Sequence, residues 1–133
     1  MNKKVPNKSG AGSFEPGKNK VEISLALFAY EDGKLKVIYS PALDLFGYGK
    51  TEREAEKSFE ITLEEFLRYT LNKNTFMKEL KRLGWKVKGD SNHRKFYQPN
   101  LGILLKDNEQ FNEVFNERPF RKYNERVQLQ LQA

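Results

Sequence analysis

Apolar and polar positions alternate through Val21, Ile23, Leu25, Leu27 and Ala29, a period of two that predicts a strand with one buried face. The turn signal Glu31-Asp32-Gly33 follows, and Leu35, Val37 and Tyr39 alternate back, so the two segments predict an antiparallel hairpin. Pro41 closes the second strand, and the segment from Ala42 to Gly49 predicts a short third strand before two glycines bend the chain. The period then changes. Ala55, Phe59, Leu63, Phe66, Leu67 and Leu71 recur at helical spacing, with Glu52, Glu56, Glu60 and Glu64 on the other faces.

After a break at Asn72-Lys73-Asn74, Phe76, Met77, Leu80 and Leu83 predict a second helix that Gly84 stops. Residues 85–99 read as a second hairpin with a Gly-Asp-Ser-Asn turn; Trp85 and Val87 share one face of its first strand, Lys86 and Lys88 the other. Residues 101–116 predict a helical stretch, and the alternation of Val127, Leu129 and Leu131 predicts a last strand. Residues 1–20 hold Pro, Gly, Ser, Asn and Lys with almost nothing apolar, which predicts a disordered basic tail. The fold class is therefore α+β: a small antiparallel sheet covered by an amphipathic helix over 21–71, then a basic α+β extension over 72–133 that packs on, or continues, the same domain.

Charge divides along the chain. Residues 1–20 carry five Lys and one Glu, residues 21–71 six cations and ten carboxylates, and residues 72–133 thirteen cations and seven carboxylates. The net +6 thus hides an acidic first half and a basic second half. Zero cysteines exclude disulfides, Cys-bound zinc and thiol nucleophiles, and the single histidine, His93, excludes a multi-histidine metal site within one chain. No cofactor is expected. No apolar run is long enough to cross a membrane and no apolar leader follows the N-terminal lysines, so the expectation is a cytoplasmic protein with no membrane partner.

Gly49-Lys50-Thr51 reproduces the end of a Walker A loop, but the glycine that the loop needs five positions earlier is Asp44, whose carboxylate would repel phosphate. The local sequence explains the tripeptide otherwise. Thr51 and Glu54 form a capping box at the start of the helix, and carboxylates in its first turn suit the helix dipole.

A hairpin, a short strand, and then Gly49, Thr51, Glu54 and Ala55 in the pattern G-x-T-x-x-E-A opening an amphipathic helix, with Pro41 upstream, resembles the HicB-like antitoxin family over about residues 20–70. The resemblance does not extend to the DNA-binding units of that family, which nothing after residue 72 matches. It implies a non-enzymatic protein, homodimeric, whose partner is a small basic ribonuclease toxin of the HicA type. The acidic 21–71 segment fits a cationic partner independently, and ordinary solvated helix surface is the alternative. Candidate partner-binding residues are Tyr39, Asp44, Phe46 and Tyr48 near the rim of the third strand, with core packing the alternative for the aromatics.

Residues 73–97 carry eight cations and two carboxylates. Lys81, Arg82, Lys86, Lys88, Arg94 and Lys95, interleaved with Trp85, Phe96 and Tyr97, make a candidate surface for RNA or single-stranded DNA, in which cations neutralise phosphates and aromatics stack on bases. The bland alternative puts Trp85 and one of Phe96 and Tyr97 in the core. The same helix–Gly-Trp–hairpin order faintly resembles the HicA toxins, which would give His93 an acid–base role in RNA cleavage. A lone surface histidine is the commoner outcome.

Overall fold

The computed structural model describes residues 11–15, 20–90 and 93–130. The order of elements is β1 (Ala11–Glu15), β2 (Lys20–Asp32), β3 (Leu35–Ser40), β4 (Leu45–Gly49), α1 (Glu52–Asn72), α2 (Phe76–Arg82), β5 (Lys86–Asp90), β6 (His93–Tyr97), α3 (Leu101–Asp107), α4 (Glu109–Glu117) and β7 (Phe120–Gln130). All strands join one seven-stranded sheet, and every pairing among the described residues is antiparallel. The α+β class stands, but the sheet is larger than the three strands expected from the first half. It runs through both halves of the chain.

β2 organises it. β7 pairs with residues 20–30 of β2, the same residues that pair with β1 at 20–24 and with β3 at 28–30. A strand has two edges, so β1 and β3 share the edge opposite β7, one beyond the other. From β3 the sheet continues to β4; from β1 it continues to β6 and β5. The two branches are tied by a buried hydrogen bond in which Trp85 Nε1 donates to the Ala42 carbonyl at 2.8 Å.

Directly paired residues share a face. Ala29, Ile38 and Gly47 lie in one row, and α1 packs on them through Ala55, Phe59, Leu63 and Leu67. Ile23, Gly12 and Phe96 lie on that same face, where Phe76 of α2 and Trp85 meet the Phe96 ring edge-on at 5.5 and 5.7 Å. The opposite face carries Phe28 and Tyr39, covered by Phe111 of α4. This second cover buries Phe28, and β2 is buried on both faces from Ile23 to Ala29, where alternation predicted one. The expected single helix over 101–116 is two, because Asn108 caps both: its N–H bonds the Leu104 carbonyl while its side chain accepts from the Phe111 N–H.

The expectation of a disordered tail is corrected at Ala11–Glu15. These residues gain two ladders of backbone hydrogen bonds, to β2 and to β6, which their side chains alone did not signal. Residues 1–10 and 16–19 of that segment lie outside the described residues.

Gly-Lys-Thr is a helix entry. The Thr51 hydroxyl accepts from the Glu54 N–H at 3.1 Å, as the capping box requires, while the Glu54 carboxylate accepts from the Lys50 N–H at 2.9 Å rather than from Thr51. The glycines before it let α1 lie against β4: a Cβ at Gly47 would stand 2.4 Å from the Phe59 nitrogen, and one at Gly49 2.5 Å from Glu54 Cβ. Because the atoms facing Gly47 are helix backbone, Gly47→Ala is expected to cost about 1–3 kcal/mol through displacement of α1, read as a lower urea midpoint with an unchanged slope.

Candidate functional site

Of the four residues named near the rim of the third strand, the structure buries one and exposes two. Tyr39 is fully buried, stacked on Phe46 with ring centroids 4.2 Å apart. Its hydroxyl donates to Asp44 Oδ1 at 3.0 Å and accepts from Asn108 Nδ2 at 2.9 Å. Burial, with the adjacent Asp44 carboxylate, holds this phenol well above its usual range, outweighing the opposing Asn108 bond. Tyr39 is thus a structural post between the turn after β3 and the start of α4. Phe46 is half-buried, and Asp44 and Tyr48 alone of the four are exposed.

The basic candidates separate onto two sides of the sheet. Lys81 and Arg82 lie on the exposed side of α2, where Arg82 pairs with Glu79 at 2.9 Å. Arg94 shares the face of Phe96, so it points to the α2 side. Lys86, Lys88 and Lys95 emerge together on the other side, where Lys88 directly opposes Lys95 and Lys86 opposes Tyr97. The core alternative holds for Trp85 and Phe96, which are buried, but not for Tyr97, which is 41% exposed. The side chain of His93 lies outside the described residues; its backbone position is opposite Asp90.

The register brings further residues to Lys86, Lys88 and Lys95 that sequence reasoning missed. One row across five strands reads Lys86, Tyr97, Ala11, Ser24, Arg126, and the next Lys88, Lys95, Ser13, Glu22, Gln128. Ser13, Glu22, Ser24, Lys95, Tyr97 and Arg126 line a shallow cleft of about 250 Å³ to which no helix contributes. Lys122 lies on the same face of β7, above Arg126. The signal for β7 was present in the polar alternation Lys122, Asn124, Arg126, Gln128, but its pairing with β2 was not.

Glu22 is the acid in this region. Burial pushes its carboxyl up, but hydrogen bonds from Lys20 and Gln128 and the charges of Lys20 and Arg126 outweigh that and hold it below the usual range. Lys86, Lys88 and Lys95 have no ion pair with any side chain that the structure describes, and the Lys88 ammonium stands 6.0 Å from the centre of the Tyr97 ring.

Across the sheet, α1 turns a carboxylate stripe toward β7. Glu52 pairs with Arg121, and Glu56 and Glu60 follow one turn apart beside Tyr123 and Glu125. Burial pushes the Glu125 carboxyl above its ordinary value, and the Glu60 and Glu56 carboxylates add to it. Burial and the Glu56 and Glu125 carboxylates likewise push the Tyr123 phenol up to about 12. Glu56, Glu60 and Glu125 meet no compensating cation among the described residues, and no described strand pairs with the outer edge of β7. A third surface, a groove of about 1190 Å³, is lined by Asp44, Asp107, Glu109 and Glu113 together with Arg82 and Lys86. Among the described residues, no group of three His, Asp or Glu stands ready to hold a metal ion, and no helix is long and apolar enough to cross a membrane.

Comparison of the chain with protein-family models, with curated proteins and with solved structures gave no match.

Glu125 makes the acidic border measurable by pH. Its ionisation costs more in the folded chain than in the unfolded one, so its contribution to stability falls as pH rises from the ordinary glutamate value through the raised one. Glu125→Gln removes that cost. The variant is expected to melt above the parent at pH 7 and to lose the advantage near pH 4, measured by thermal unfolding across the range.

Proposed function

We propose that the chain is a HicB-like antitoxin-type protein whose task is to hold a small basic protein of the HicA type. The reading rests on one observation, the acidic border of Glu56, Glu60 and Glu125, which meets no compensating cation among the described residues and lies beside an edge of β7 that no described strand pairs. Burial and the neighbouring Glu60 and Glu56 charges raise the Glu125 carboxyl, and such a gathering of carboxylates favours a partner that brings positive charge. The edge supplies the rest of the recognition: an extended segment can continue the ladder along β7, and its alternate side chains then fall on the α1 side of the sheet. Lysines or arginines at those positions meet Glu125, Glu60 and Glu56 in turn. Opposite potentials also speed the encounter of two small proteins at ordinary ionic strength.

The order of elements supports the same family. β2, β3, β4 and the capped α1 follow one another as the resemblance implies, with Gly49, Thr51, Glu54 and Ala55 at the helix entry. The role needs no catalytic group on this chain.

The test is co-purification on the tagged full-length protein from its native host, with RNase added to half of each sample. A small basic protein is expected in both halves with the parent and is expected to fall by about tenfold with Glu56→Lys plus Glu60→Lys, since two reversed charges turn attraction into repulsion. Retention that depends on RNA, or a basic protein held equally by the charge-reversed variant, would overturn the reading.

A further inference from the structure

The β1, β5 and β6 end of the sheet, on the side away from α1 where no described helix lines the cleft, has a different chemistry from the acidic border and does not depend on it. We propose that this face is a binding surface for single-stranded nucleic acid, in which Lys86, Lys88, Lys95 and Arg126 hold the phosphates and Tyr97 stacks on a base.

The argument starts from a cost. Lys88 and Lys95 stand directly opposite each other on β5 and β6, and like charges at a cross-strand pair destabilise a hairpin. Among the side chains the structure describes, the nearby acid, Glu22, is engaged by Lys20, Arg126 and Gln128, and the backbone positions of Asp90 and Glu15 stand one row further along the same face. A solvated face gains nothing from that arrangement. A polyanion laid along the row does, since each phosphate neutralised releases a counterion.

Tyr97 selects the kind of polyanion. It is the one large aromatic of this hairpin that the core leaves out: Trp85 and Phe96 are buried on the other face, while Tyr97 is 41% exposed between Lys86 and the cleft. An exposed ring amid cations offers a stacking platform that a free base can reach and a paired base cannot. The face is also wide. Five strands at about 4.8 Å give a track of about 19 Å across β5, β6, β1, β2 and β7, and no helix lines its cleft to enter the groove of a duplex. Glu22, ionised within this track, adds an acceptor for an exocyclic amino group, a group that every base but uracil and thymine carries on a reachable edge.

Of the six basic residues singled out in the sequence, the geometry therefore keeps Lys86, Lys88 and Lys95. It removes Lys81, Arg82 and Arg94, which face the α2 side, keeps Tyr97 of the three interleaved aromatics, and adds Arg126.

The experiment is fluorescence anisotropy on the purified full chain with labelled oligouridylate, the matching oligothymidylate and an RNA duplex, over a series of salt concentrations. Both single strands are expected to bind more tightly than the duplex, the tighter of the two assigning the sugar. Lys88→Ala plus Lys95→Ala is expected to make the slope of log affinity against log salt shallower by about 1.4, two phosphate contacts at about 0.7 each. Tyr97→Leu is expected to weaken binding at least about fivefold and to leave that slope unchanged, which a lost fold would not do. Lys81→Ala plus Arg82→Ala serves as the charge-matched control and is expected to bind as the parent does. The proposal is overturned by duplex binding as tight as single-strand binding, by an effect of the control equal to that of Lys88→Ala plus Lys95→Ala, or by full affinity in Tyr97→Leu. Because no partner protein is present, any of these results leaves the capture of a basic protein at Glu56 and Glu60 untouched.

Discussion

Everything in this fold is placed relative to β2. Its residues 20–24 and 28–30 have neighbours on both edges, and from Ile23 to Ala29 its side chains are buried on both faces. Where it is paired on both edges it has no backbone group to offer water, so each neighbour there is held in register by the hydrogen bonds it must supply. Because β7 takes one edge, β1 and β3 divide the other. That division splits the sheet into two branches, and the Trp85–Ala42 hydrogen bond closes the wedge between them. The tryptophan's apolar body fills the junction while its one donor satisfies a carbonyl that has left the ladder, which is the use to which a buried indole is best suited.

The split decides where the helices can go. α1 and α2 cover one face along both branches, with Phe59 over Gly47 and Phe76 against Phe96. On the other face α4 reaches Phe28 and Tyr39 of the β3 branch. No helix contributes to the cleft at Ser13, Glu22, Lys95 and Arg126 in the β1 branch. Two surfaces of opposite sign result from one topology. The acids of the first half stand on α1 near β7, and Lys86, Lys88, Lys95 and Arg126 of the second half stand on the opposite side of the sheet, at a cleft no described helix lines. The charge asymmetry visible along the sequence becomes an asymmetry between the two sides of a sheet.

Local chemistry was legible wherever a few neighbouring residues decided it. The alternation at 21–29, the turn at Gly33, the Thr51 cap and the stop at Gly84 all have causes within a handful of positions. The face assignment of Trp85 against Lys86 and Lys88 was legible for the same reason. What depended on distant pairing was not. Ala11–Glu15 has no apolar pattern of its own and becomes a strand because β2 and β6 flank it. Tyr39 looked like rim because nothing local announces Phe111 and Asn108, which arrive from α4 and its cap about seventy residues later. Glu125 reads as one charge in an exposed strand until the β2–β7 register sets it beside Glu56 and Glu60. The candidate surfaces were recoverable in residue type and not in membership, since membership is set by register.

The pairing of β2 with β7 also has a consequence for how the chain reaches this state. The paired positions run from Tyr30 with Phe120 to Lys20 with Gln130, so each contact closes a loop holding most of the molecule. Such contacts come late in folding, because the entropy of closing the loop is spent before any of the contacts rewards it. Until then the most apolar strand of the chain has one edge bare, a template for pairing with another molecule during synthesis. The hairpin of β2 and β3 with its helix can assemble early from neighbours in sequence, whereas its protection waits on residues from the far end of the chain.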